Sequence, residues 1–129
     1  MIMLAWILTT LWLAPPLTAE AVAAEPVILE IHTNYPSSNN WHTLPRQGEF
    51  KVSARAAATK EIMFWYVPGG SGTWNERRWL ATVEAKLPND EYFALQWKYN
   101  EVIHGHLAIQ CFGYDGQMAI NHLNISNTN

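Results

Sequence analysis

A period of two governs this chain. From Pro26 onward apolar and polar residues alternate in short runs, and no window long enough for a helix carries an apolar stripe at helical spacing bounded by caps. Alternation sends successive side chains to opposite faces of an extended strand, so each run requires a sheet with one face buried. Phe50, Val52, Ala54 and Ala56 alternate with Lys51, Ser53 and Arg55; Phe93, Leu95 and Trp97 with Ala94, Gln96 and Lys98; Leu107, Ile109 and Cys111 with His106, Ala108 and Gln110. Val27, Leu29 and Ile31 alternate with Ile28, Glu30 and His32 in a first strand. Arg77 to Ala85 carries Trp79, Ala81 and Val83 on one register, and Met118 to Ile125 points Leu123 and Ile125 inward. Lys60 to Val67 is apolar on both faces, as suits a central strand.

Turn chemistry separates these runs. Thr33 to Gly48, rich in Asn, Ser and Pro, reads as loop, and Gly69-Gly70-Ser71-Gly72, Pro88-Asn89-Asp90 and Tyr114-Asp115-Gly116-Gln117 read as turns. Seven short strands at regular spacing predict an all-β fold, an immunoglobulin-like seven-stranded antiparallel β-sandwich; a small closed barrel is the competing arrangement. Phe50, Val52, Ala54, Ile62, Phe64, Phe93, Leu95, Trp97, Leu107, Ile109, Cys111, Leu123 and Ile125 form the expected core.

The first residues follow another pattern. Met1 to Ala14 is an apolar run, too short to span a bilayer as a helix, and it is followed by Pro15-Pro16 and by small residues through Ala24. Such a run is the hydrophobic region of a secretory signal with a cleavage site after Ala23 or Ala24. Residues 1–24 are therefore expected to be a signal peptide and 25–129 the sandwich domain, with an uncleaved anchor or apolar N-terminal helix as the alternative. The dissenting feature is charge, because no Lys or Arg precedes Arg46. The expected location is secreted or at the cell surface, with membrane contact only through the signal segment, the domain standing alone or within a multidomain chain.

Phe50-Lys-Val-Ser-Ala54, Ile62-Met-Phe-Trp-Tyr66 with the Pro-Gly-Gly loop after it, Trp97, and the segment from His104 to Gln117 carry a resemblance. The chain resembles, over roughly residues 26–126, the bacterial secreted immunoglobulin-like modules of extracellular and surface proteins. That resemblance implies a spacer, adhesion or ligand-presenting module with no enzyme activity of its own. It departs from antibody-type domains in lacking their cysteine pair, since Cys111 is the only cysteine.

Composition narrows the partners. With 8 Lys+Arg against 11 Asp+Glu and a net charge of -3, the chain lacks the basic patch that phosphate backbones require, so nucleic acid is not an expected partner. Neither a Gly-x-Ser-x-Gly elbow nor a His-Glu-x-x-His helix occurs, and the glycine loop lacks the Lys-Ser/Thr of a phosphate cradle, so neither an enzyme nor a cofactor is expected. Cys111 falls on the inward register as a small buried hydrophobe. Two surface readings remain. His104-Gly-His106 places two imidazoles on one strand face, and His122 or His32 on a neighbouring strand supplies a third; His104, His106 and His122 are the candidate zinc or copper ligands of the runner-up function, a small exported metal-binding sandwich. Trp41, Trp74 and Trp79 are the candidate contacts for a carbohydrate or protein at the cell surface, Trp41 and Trp74 from loops and Trp79 from a face shared with Trp65. The alternative for Trp65, Trp79 and Trp97 is the core.

Overall fold

The computed structural model describes residues 24–70, 72–87 and 91–128. Residues 1–23 of the expected signal peptide, Ser71 of the glycine turn and the Pro88-Asn89-Asp90 turn lie outside them. Nine strands are present among the described residues: β1 (Val27–Thr33), β2 (Ser37–Ser38), β3 (Trp41–Thr43), β4 (Gly48–Ala57), β5 (Glu61–Pro68), β6 (Arg78–Glu84), β7 (Tyr92–Tyr99), β8 (His104–Phe112) and β9 (Met118–Ser126). The one helical element among them is a single 3-10 turn, Thr73–Glu76. The seven long strands are those the alternation marks. The short β2 and β3 fall inside the stretch expected to be loop.

The strands form two sheets, one of six strands in the order β2-β3-β9-β8-β5-β6 and one of three in the order β1-β4-β7. Every pairing is antiparallel except β3 with β9, which is parallel. Alternation explains the three-stranded sheet directly: Phe50 pairs with Trp97, Val52 with Leu95 and Ala54 with Phe93, all buried, while Lys51, Gln96 and Lys98 remain in water. These side chains join Ile62 and Phe64 from β5, Leu107, Ile109 and Cys111 from β8, and Ile125 from β9 in one core. Burying a large aliphatic or aromatic side chain is worth about 1.5–3 kcal/mol, so this shared core holds the two sheets together.

Two register shifts depart from simple alternation. A bulge between Ile28 and Glu30 moves Ile28 and Ile31 toward the core and leaves Val27 and Leu29 facing out, which corrects the expected inward set of β1. A second shift, between Phe64 and Trp65, aligns Trp65 with Trp79 on the outer face of the six-stranded sheet.

Gly105 is fixed by proximity. A Cβ there would collide with the Val67 carbonyl oxygen and crowd the backbone of Pro68 and Gly69, so β8 approaches the end of β5 as only glycine allows. The His-Gly-His sequence is thus continuous strand, and His104 does not sit in a turn.

Candidate functional site

The outer face of the six-stranded sheet collects the chemistry. Asn39 and Asn40 adopt left-handed backbone, φ 53° and 68°, a conformation asparagine tolerates better than most residues. They turn the chain from β2 into β3, which lies along β9 with Trp41 opposite Asn124. Across the next ladder Asn124 faces His106, Ser126 faces His104 and His122 faces Ala108. Trp41, His104, His106, His122 and Asn124 therefore share one surface although the sequence scatters them.

Trp41 stacks on His104, with ring centroids 5.1 Å apart and planes within 16°. His104 Nδ1 and Ser126 Oγ are hydrogen-bonded at 3.0 Å, and Ser126 Oγ also meets Thr128 Oγ1 at 2.9 Å. Trp41, His104 and Ser126 line a cleft of about 380 Å³ together with Ser38, Asn39 and Thr43. Its lining contains an indole platform, hydroxyls, an amide and an imidazole, with no carboxylate, lysine or arginine. A larger hollow of about 610 Å³ opens between the ends of β4 and β7. Its one aromatic, Tyr99, is only 5% exposed, with its hydroxyl donating to the Pro45 carbonyl at 2.7 Å, so this hollow offers little ring surface.

One step along the face, the His106 and His122 rings meet edge to face, with centroids 5.6 Å apart and planes at 71°. His106 Nδ1 lies 2.9 Å from Asn124 Oδ1, and Asn124 Nδ2 donates to the Asn40 carbonyl at 3.0 Å. Desolvation, and then the neighbouring His106, hold the His122 pKa below that of a free imidazole. His104 does not join this pair, because its ring is committed to Trp41. Among the described residues no group of three or more His, Cys, Asp and Glu side chains is placed to hold a metal ion. Of the three expected ligands, the structure brings together two.

At the far edge of the sheet the Arg77 guanidinium lies between two indoles, 4.6 Å from the ring centroids of both Trp65 and Trp74. Trp65 Nε1 donates to Gln110 Oε1 at 2.9 Å, which ties this indole to β8. Trp79 is 57% exposed, its Nε1 donating to Thr82 Oγ1 at 2.8 Å. The core alternative therefore holds for Trp97 and fails for Trp65 and Trp79. Trp74 is engaged by Arg77, whereas Trp41 lies on a strand and lines a cleft. The sequence reading missed Asn124 and Ser126 as polar partners of the histidines; the alternation of β9 places both on the outward register with His122, and that was the available signal.

No family model and no curated protein matches the chain. Among solved structures, a superoxide reductase (neelaredoxin) from Ignicoccus hospitalis is similar at 12% sequence identity, covering 87% of this chain and 86% of that one with a TM-score of 0.48. That protein is an enzyme, which stands against the expectation of a module with no enzyme activity of its own. At this identity and TM-score the likeness carries no reaction, substrate or metal over to this chain.

Proposed function

We propose that the chain takes a carbohydrate ligand in the cleft walled by Trp41, on the outer face of an immunoglobulin-like sandwich. Strand order supports the fold assignment. Of the long strands, the first, second and fifth (β1, β4, β7) form one sheet and the third, sixth and seventh (β5, β8, β9) the other, as in immunoglobulin domains. The fourth, β6, sits on the edge beside β5, whereas a constant-type domain pairs it with the fifth.

The observation that carries the functional reading is the lining of the cleft. A sugar ring presents apolar C–H faces and a rim of hydroxyls, so it suits a flat indole surrounded by uncharged donors and acceptors. Trp41 supplies the first, and Ser38, Asn39, Thr43, His104 and Ser126 the second. The volume, about 380 Å³, lies at the small end of the range of about 300–1,000 Å³ typical of ligand pockets.

A panel of mono- and oligosaccharides tests the reading by intrinsic fluorescence. A binding sugar is expected to shift the emission of the wild type, and of Trp79→Ala, but not that of Trp41→Ala. Because the cleft holds no fixed charge, the affinity is expected to survive high salt. Assaying the same mixtures for new reducing ends separates turnover from retention. A panel that leaves the emission unchanged, or shifts Trp41→Ala as it shifts the wild type, overturns the proposal.

A further inference from the structure

We infer that His106 and His122 form a chelating pair for a borderline divalent transition-metal ion, Cu²⁺ in preference to Zn²⁺, with water completing the coordination. The two imidazoles stand on adjacent strands of one hairpin whose ladder runs unbroken from Met118↔Phe112 to Ser126↔His104, so their separation is set by backbone register. They are diagonal neighbours, and the residue opposite His122 is Ala108, a small side chain that is itself fully covered.

Geometry places the rings close to a shared ion. Metal–nitrogen bonds of about 2.0–2.1 Å and interligand angles of about 90–110° put the centroids of two coordinating imidazoles roughly 4.5–5.5 Å apart. The observed 5.6 Å is reached from that arrangement by small side-chain rotations that turn an edge contact into convergence.

Asn124 prepares one ligand. Its Nδ2 is committed to the Asn40 carbonyl, which orients the amide so that Oδ1 faces His106 Nδ1 and accepts its proton. His106 is thereby held in the tautomer that leaves Nε2 unprotonated, the arrangement by which outer partners commonly orient metal-ligating histidines. With two protein ligands the site is open and exchangeable. The preference for Cu²⁺ follows from the ordering of divalent ions on nitrogen donors. Neither imidazole lines the Trp41 cleft, so this inference stands apart from the carbohydrate reading.

Titration of the full chain with CuCl₂, read by calorimetry and electron paramagnetic resonance, tests it. The wild type is expected to bind an equivalent whose spectrum shows two coordinated imidazole nitrogens. His106→Ala and His122→Ala are each expected to weaken binding at least tenfold, and His32→Ala to leave it unchanged. Asn124→Ala retains both rings but frees the tautomer, and is expected to weaken binding by about tenfold with the fold intact by circular dichroism. Wild-type Cu²⁺ affinity in both His106→Ala and His122→Ala, or a spectrum without imidazole nitrogen, overturns the inference.

Discussion

Cys111 and His122 show how one strand pair treats its two faces. Cys111 lies wholly inside the sandwich, and burial pushes its thiol pKa up to about 11. At pH 8 only about one thiol in a thousand would be ionised, and none is accessible, so the native chain is expected to leave a disulfide reagent unreacted; adding urea should release one reactive thiol per chain. His122 points the other way, and its folded-state pKa is lowered first by desolvation and then by His106. A base whose folded pKa falls below its unfolded value gives stability that is complete above the unfolded value, near 6.5, and is lost as pH falls through the folded one. The urea midpoint is therefore expected to drop on acidification from pH 7.5 to 5, and less steeply in His122→Gln. A parallel decline in the variant would assign the acid sensitivity to other groups.

At the scale of elements, legibility depended on whether the backbone obeyed its own period. β4 and β7 could be read residue by residue because Phe50 to Ala56 and Phe93 to Trp97 alternate without interruption. β1 was misread because a bulge, which leaves no compositional mark in Val27–Thr33, shifts the inward residue from Leu29 to Ile28. β2 and β3 were missed because Asn39 and Asn40 were correctly taken as turn formers, while the partner that makes Trp41–Thr43 a strand is β9, at the opposite end of the domain. For the same reason the imidazole pair was legible only by halves: spacing gives His104 and His106, and register alone selects His122 over His104. Gly105 offers the strictest test of the β5–β8 approach. Gly105→Ala places a methyl group against backbone that cannot rotate away, and is expected to lower stability by about 1–3 kcal/mol or more in urea denaturation. Leu107→Ala, which opens a void in the shared core two residues later, should lose about 2–5 kcal/mol.

For the whole molecule, we propose that the apolar run from Met1 to Ala14 directs export, and this has its own test: material recovered from a secreting host is expected to begin at Ala24 or Glu25, and an intact Met1 on membrane-bound material would favour an anchor. The parallel pairing of β3 with β9 has a further consequence in time. During synthesis the segment bearing Trp41 leaves the ribosome long before Met118–Ser126, yet the cleft is lined from both. Ligand recognition in this fold must therefore await the last strand, so nascent chains halted before Met118 could bury much of their core and still be blind to the ligand.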